Sequence, residues 1–133
     1  MKSVKALPQL QPRFRIRLGD DVAFGPGKAD LLRGIAETGS IAVAAQRLEM
    51  SYMRAWTLVQ TMNACFREPL VVTTRGGRER GGATLTATGA EVIARYDELL
   101  AVSAAAIQPV WQKFLPLLSA RVQLPPAKRR TQT

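Results

Sequence analysis

Apolar residues recur every three or four positions in three consecutive segments between residues 26 and 66, a spacing typical of amphipathic α-helices. Pro26 and Gly27 begin the first segment and Gly39 ends it. Ser40 precedes the second segment as a predicted N-cap, and Ser51 precedes the third after a break at residues 49–51. The predicted inward positions are Leu31, Leu32, Ile35 and Ala36, then Ile41, Ala44, Ala45 and Leu48, then Ala55, Val59, Met62 and Phe66. The pattern predicts three short helices, the last two joined by a tight turn.

The third predicted helix has a polar face made of side chains that suit the bases of DNA. Because each residue of a helix advances by about 100°, the inward stripe turns the opposite face toward solvent. Arginine pairs with guanine, glutamine pairs with adenine, and threonine contacts the thymine methyl group. We expect Trp56 to pack against the second helix or the following hairpin rather than on a base. The predicted DNA contacts of this helix are Ser51, Tyr52, Met53, Arg54, Thr57, Gln60 and Thr61.

Two short β-prone runs, residues 69–72 and 83–85, flank the connection TTRGGRERGG. Its four glycines allow the backbone to approach a phosphate closely, and its three arginines outnumber one acid. A surface hairpin needs glycine and polar residues in any case. Since this hairpin follows a helix suited to base recognition, we interpret it as a DNA-contacting wing in which Arg75, Arg78 and Arg80 bind phosphates.

A half-buried strand is predicted over residues 14–20, where apolar and basic side chains alternate. Phe14, Ile16 and Leu18 form its predicted inner face. Arg13, Arg15 and Arg17 form the other face, which we interpret as solvated, the alternative being contact with DNA or a partner.

The last apolar pattern predicts a long helix over residues 87–118, capped by Thr86 or Thr88 and broken near Pro109. Its apolar stripe extends past what one small domain can cover, so we expect a homodimer through this helix. Residues 110–118 offer a second interface or a lid. The predicted dimer-interface residues are Val92, Ile93, Tyr96, Leu99, Leu100 and Ala104.

The composition of the chain favours a binding protein over an enzyme. The chain of 133 residues has no histidine and one cysteine, and its acids are scattered, so we expect no enzyme, no metal site and no cofactor. No apolar run reaches about 18 residues, so we expect a cytoplasmic protein without a membrane partner. The net charge is +9, and residues 40–82 hold six basic against three acidic side chains. Positive charge is therefore concentrated where phosphate contact is predicted.

Together these elements predict a mainly α fold with a small β-hairpin, a winged helix-turn-helix with a long C-terminal dimerisation helix. The predicted divisions are a flexible basic arm over 1–12, the DNA-binding domain over 13–86, the linker and dimerisation helix over 87–118, and a disordered basic tail over 119–133.

The strings ETGSI, MSYMRAW and GGRERGGATLT, followed by Gly89 and a long helix, resemble the N-terminal DNA-binding domain of the bacterial ModE family of molybdate-responsive regulators. They more distantly resemble the winged helix of LysR-type regulators. The resemblance covers about residues 14–100 and implies a dimer on double-stranded operator DNA, with Tyr52, Arg54 and Thr57 in the recognition helix. ModE proteins carry a molybdate-binding region after the linker helix. This sequence ends before such a region, so we expect fold and DNA binding to transfer, but not molybdate binding.

Two functions follow as hypotheses. The first is a transcriptional regulator that binds operator DNA as a dimer, with the helix at 51–66 in the major groove and the wing at 75–82 on the backbone. The alternative is an interaction protein that heterodimerises with a longer regulator through its C-terminal helix.

Overall fold

The computed structural model describes residues 2–5, 7–74, 82–119 and 121–124. These residues form four α-helices and three two-stranded antiparallel ladders, joined by turns and loops. The elements are β1 (Lys2–Lys5), β2 (Ile16–Leu18), β3 (Asp21–Phe24), α1 (Pro26–Thr38), α2 (Ile41–Arg47), α3 (Tyr52–Cys65), β4 (Val71–Thr73), β5 (Ala83–Leu85), α4 (Ala87–Phe114), a 3-10 turn (Leu115–Leu117) and β6 (Arg121–Leu124). The predicted fold class, a mainly α winged helix-turn-helix with a long C-terminal helix, is confirmed. The chain divides into two units, residues 13–102 and residues 1–12 with 103–133.

Local signals place the ends of the first three helices where the sequence predicts them. α1 ends at Gly39, whose φ of 69° suits glycine and whose N–H donates to the Ile35 carbonyl at 2.8 Å. The Ser40 hydroxyl caps α2 by accepting from the Val43 N–H at 3.1 Å. The Ser51 hydroxyl caps α3 by accepting from the Arg54 N–H at 3.1 Å. Because each cap satisfies an otherwise unpaired N–H, the serines determine where α2 and α3 begin.

The core of the unit formed by residues 13–102 lies between α1, α2, α3 and the start of α4. Its largest fully buried side chains are Phe24, Leu31, Leu32, Ile35, Val59, Met62 and Leu70. The predicted inward position Ala36 is wrong, since that residue is exposed. Ala29 lies on the same side of α1 two turns earlier and is fully buried. The core therefore covers this side of α1 as far as Leu32, which is fully buried, and not at Ala36.

The strand predicted over residues 14–20 is shorter than expected and belongs to a hairpin. β2 pairs with β3 through Arg17 opposite Val22 and Leu18 opposite Asp21, with an irregular register before Arg17. The expectation of a half-buried β2 is wrong, because every residue of β2 is exposed. β3 packs against α1 and α3 and supplies the buried residue Phe24, so β2 forms the outer strand.

The first turn of α4 is attached to the segment that precedes β4. Thr86 is the N-cap, since its hydroxyl accepts from the Gly89 N–H at 3.0 Å and also donates to the Pro69 carbonyl at 2.6 Å. The predicted break near Pro109 is wrong, because α4 continues to Phe114. Proline removes only one N–H donor, and the alanines at 104–106 have the highest helix propensity of any residue.

Residues expected to lie in a flexible arm and a disordered tail contain a short ladder. β1 pairs with β6 in antiparallel register, with Val4 opposite Val122 and Lys5 opposite Arg121. The expectation of no regular structure is therefore wrong for these two strands. Both are free of proline and glycine, and each has a β-branched valine, which favours extended pairing.

Gly89 provides a test of how α4 packs. A Cβ added at this position would overlap the Leu70 carbonyl oxygen and lie 3.1 Å from the carbonyl carbon. We expect Gly89→Ala to lower the free energy of unfolding by at least about 2 kcal/mol, because backbone must shift to relieve the overlap. Urea denaturation followed by circular dichroism measures the change.

Gly27→Ala is the matched control, since a Cβ at position 27 in the first turn of α1 would meet nothing within 4 Å. It should leave stability unchanged or raise it by up to about 1 kcal/mol. Equal urea midpoints for the parent and Gly89→Ala would contradict the close packing of α4 on Leu70.

Candidate nucleic-acid interface

The packing of α3 turns its predicted DNA-binding face toward solvent. Ala55, Val59 and Met62 are each at most 1% exposed, which confirms the predicted inward stripe. Outside this stripe Tyr52 is 50% exposed and Met53 is 65% exposed. The structure places Ser51, Tyr52, Met53, Arg54, Thr57 and Gln60 as exposed residues and Thr61 as a half-buried one. The seven predicted residues thus lie at or beside one accessible face, while their contacts with DNA stay a prediction.

The hydroxyl groups of this face already have partners within the helix. The Thr57 hydroxyl donates to the Met53 carbonyl at 2.8 Å, and the Thr61 hydroxyl donates to the Thr57 carbonyl at 3.0 Å. A threonine bonded in this way keeps its methyl group and its oxygen lone pairs for other contacts. The two threonines are therefore suited to meet a thymine methyl or to accept a hydrogen bond.

Trp56 is an exposed aromatic residue. It is 42% exposed on α3 and so does not belong to the buried core, while its predicted contact with α2 or the hairpin stays a prediction. Tyr52 lies four residues earlier, and side chains at this spacing are neighbours on a helix surface. Ala55 and Val59 occupy the positions that face the core, which leaves the Trp56 ring on the flank. The exposed face therefore carries two aromatic side chains beside its polar ones.

Sequence reasoning missed Asn63, which attaches the end of α3 to the wing. Its side-chain oxygen accepts from the N–H groups of Leu70 and Val71 at 2.8 and 3.2 Å. Its side-chain nitrogen donates to the Val71 carbonyl at 3.0 Å. β4 begins at Val71, so one amide joins the last turn of α3 to the first strand of the hairpin. An asparagine near a helix end has many possible roles, and nothing in its spacing indicated this one.

The described base of the wing is a two-stranded ladder that is tied to the end of α1. β4 and β5 pair from Val71 opposite Leu85 to Thr73 opposite Ala83, and the Thr74 N–H donates to the Gly82 carbonyl at 2.8 Å. The Ala83 N–H donates to the Gly39 carbonyl at 2.9 Å, which ties the hairpin to the end of α1. The predicted wing contacts Arg75, Arg78 and Arg80 lie outside the described residues.

The predicted dimer face of α4 needs a correction at Tyr96. Tyr96 is 4% exposed, its hydroxyl donates to the Phe14 carbonyl at 2.8 Å, and its ring packs edge-to-face on Phe24. Burial raises the pKa of this phenol. Tyr96 therefore belongs to the core of its own chain, because α4 lies against β3 and α1 at this point. Of the other predicted residues, Val92, Ile93 and Leu100 are partly buried against the core, whereas Leu99 and Ala104 are exposed.

Ion pairs of the described residues lie away from α3. Arg33 pairs with Asp30 and Asp97, Arg47 with Glu37, and Arg95 with Glu91 and Glu98. Arg54 takes part in none of these pairs, and the first turn of α3 contains no acid. The guanidinium of Arg54 is therefore available to an external ligand.

Neither a membrane-spanning helix nor a cluster of metal-binding side chains occurs in the described ranges. No helix there has the length and apolar character needed to cross a membrane. In the same ranges no group of three or more cysteine or acidic side chains is arranged to hold a metal ion.

The family comparison matches the part of the chain that builds this face. Residues 29–90 match the bacterial regulatory helix-turn-helix protein family of LysR type, over α1, α2, α3, the described base of the wing and the start of α4. Residues 29–90 are a LysR-type helix-turn-helix domain. The match confirms the predicted likeness to LysR-type regulators.

Individual relatives confirm the predicted resemblance to ModE proteins. Molybdenum transport protein ModE of Azotobacter vinelandii is 41% identical over 91 residues, 65% of this chain and 34% of the relative. Molybdenum-pterin-binding protein MopB of Rhodobacter capsulatus is 42% identical over 73 residues, 55% of this chain and 27% of the relative. Transcriptional regulator ModE of Yersinia pestis is 37% identical over 109 residues, 82% of this chain and 41% of the relative. The chain thus spans 27% to 41% of the length of these relatives.

The bonds made by Asn63 generate a prediction for stability. Asn63→Ala removes three hydrogen bonds and leaves the backbone groups of Leu70 and Val71 without these partners. We expect the free energy of unfolding to fall by about 2 to 3 kcal/mol, the cost of unsatisfied polar groups that are partly buried. Urea denaturation measures the loss.

Gln60→Ala on the exposed side of the same helix is the control, and it should change stability by less than about 0.5 kcal/mol. If the two substitutions had equal effects, Asn63 would not be the attachment between α3 and β4.

Proposed function

We propose that this protein is a transcriptional regulator that binds operator DNA as a dimer, with α3 in the major groove and the wing along the phosphate backbone. The observation that carries the proposal is the exposed polar face of α3 within a LysR-type helix-turn-helix domain. The presence of transcriptional regulators among the relatives supports the same activity. A protein that acts on the bacterial chromosome works in the cytoplasm, so that location forms part of the proposal.

Each exposed residue type of α3 has a role in this proposal. Arg54 donates two parallel hydrogen bonds to a guanine, and Gln60 pairs with an adenine. Thr57 and Thr61 present their methyl groups to thymine. Ser51, Tyr52 and Met53 lie at the N-terminus of α3, where the helix dipole favours a nearby phosphate. Arg75, Arg78 and Arg80 contact phosphates from the wing and add affinity for any sequence.

The proposal covers binding and no catalytic step. The names of the relatives also include molybdenum transport and molybdenum-pterin binding. We do not assign those activities to this chain, because the family match lies in the helix-turn-helix domain. The same names point to regulation and transport rather than to an enzyme.

Dimerisation through α4 is supported by apolar side chains that the described residues leave uncovered. Leu99 is 44% exposed and Val102 is 62% exposed, three residues apart on one side of the helix. In a symmetric dimer two copies of α3 would lie about 34 Å apart and meet successive major grooves of a pseudo-palindrome. The alternative, heterodimerisation with a longer regulator, would use the same surface of α4.

Arg54→Ala tests base recognition. We expect a loss of about 1 to 3 kcal/mol in binding to the preferred site and a much smaller loss on random duplex, because only the preferred site offers the correct guanine. Fluorescence anisotropy on a site selected from genomic fragments gives both affinities. Arg78→Ala is the comparison, since a phosphate contact should weaken all duplexes to a similar extent. Equal losses on both duplexes for Arg54→Ala would remove its assignment as a base contact.

Leu99→Glu tests the dimer. We expect the variant to sediment as a monomer at micromolar concentration, because a carboxylate at the interface would be desolvated without a partner. Ala94→Glu is the control, since Ala94 is exposed on another side of α4 and its variant should stay dimeric. A parent chain that sediments as a monomer, and that co-purifies with a larger regulator, would favour the heterodimer instead.

A further inference from the structure

A groove lined by positive charge opens beside α3 in the unit formed by residues 13–102. Arg13, Arg15, Lys28 and Arg54 line it, the open space measures about 310 Å³, and no carboxylate is among its lining residues. We refer to it as the basic groove. Arg13 and Arg15 come from the segment that enters β2, Lys28 from the first turn of α1, and Arg54 from the first turn of α3. Three separate parts of the chain therefore bring cations to one place.

The four cations of the basic groove lack the acidic partners found elsewhere. Among the residues that the structure describes, the ion pairs involve Arg33, Arg47 and Arg95, and none involves a residue of the groove. Burial lowers the pKa of Lys28, and the charges of Arg54 and Arg15 lower it further, against the opposite effects of Cys65 and Asp21. Four cations against the one carboxylate of Asp21 leave a net positive field that attracts an anion.

The backbone at the groove adds donors to the side chains. The N-cap of α1 is Gly25, which has no side chain to accept from the first N–H groups, and the first turn contains no acid. In contrast, Ser40 and Ser51 cap α2 and α3. A Cβ at Gly27 would meet nothing within 4 Å, so the first turn of α1 is open to a ligand. An uncapped helix N-terminus binds phosphate through its N–H groups and its dipole.

We propose that the basic groove binds one phosphate of the DNA backbone, on the strand that borders the major groove entered by α3. The proposal rests on the function proposed above. Arg54 belongs both to the exposed face of α3 and to the groove, so DNA held by α3 passes directly beside it. Arg13, Arg15 and Lys28 then hold the phosphate oxygens, and Arg54 is left to contact a base.

Neutralising single phosphates of the DNA tests this assignment. A series of operator duplexes, each with one methylphosphonate linkage, is titrated with the parent chain and with the double variant Arg15→Gln, Lys28→Gln. For the parent we expect the affinity to fall about tenfold at one linkage in each half-site, since that phosphate loses its charge. The double variant should lose affinity on unmodified DNA and be insensitive to methylphosphonate at that same linkage.

Arg17→Gln is the control, because it removes a positive charge two residues from Arg15 without altering the lining of the groove. It should keep the sensitivity of the parent at every linkage. The salt dependence provides a second measurement. The affinity ratio of parent to double variant should shrink by about threefold between 50 and 200 mM salt, as expected for one lost phosphate contact. A double variant with the methylphosphonate profile of the parent would overturn the proposal.

A titration of the free chain with inorganic phosphate separates failure of this inference from failure of the proposed function. The amide signals of Gly27 and Lys28 are followed by NMR at constant ionic strength, with chloride as the competing anion. If the parent binds no duplex, both the regulator proposal and the DNA phosphate assignment fail, and shifts of these two amides would identify a site for free phosphate instead. If the parent binds duplex normally but the double variant binds with equal affinity, only the groove assignment is wrong.

Discussion

The burial of one side of α3 is the constraint on which the candidate interface depends. Ala55, Val59 and Met62 are fixed in the core, and a helix cannot rotate about its axis without removing all three from it. Their burial therefore determines that Arg54 and Gln60 face solvent. Alanine at position 55 is small enough to let α3 lie close to its neighbours, which a larger side chain would prevent. The orientation of every proposed base contact follows from this apolar stripe rather than from the polar residues themselves.

Hydrogen bonds at the ends of α3 and at the base of the wing fix the position of α3 relative to the hairpin. Ser51 caps the first turn, and Asn63 joins the last turn to the start of β4. On the second strand side of the hairpin the Thr86 hydroxyl donates to the Pro69 carbonyl, and the Ala83 N–H donates to the Gly39 carbonyl. Each bond contributes only about 1 kcal/mol to stability. Together they hold α3 and the described base of the wing in one arrangement, which would lower the entropy lost in the proposed DNA binding.

The sequence predicted the parts of this structure that depend on neighbours along the chain. The caps at Ser40 and Ser51 and the stripe of α3 required only helical spacing. Contacts between residues far apart in the sequence could not be predicted from helical spacing. The helical spacing of Tyr96 fits an apolar stripe that faces a dimer partner as well as one that faces the core. Only the position of β3 against α4 shows that this side chain faces the core. The contacts of Asn63 and the pairing of β1 with β6 likewise depend on residues brought together by the fold. α4 continues past Pro109 because the favourable helical residues on both sides offset the one hydrogen bond that proline cannot make.

The distribution of charge shows why a nearly balanced set of side chains can still favour a polyanion. Residues 19–118 hold ten basic and ten acidic groups, so their net charge alone predicts no attraction to DNA. In the structure the described acids of α1 and α4 pair with Arg33, Arg47 and Arg95 and cancel those charges locally. The cations next to α3 keep their field because no described acid pairs with them. Attraction at a protein surface depends on which charges are left unpaired, and here they border the helix whose exposed face is suited to bases.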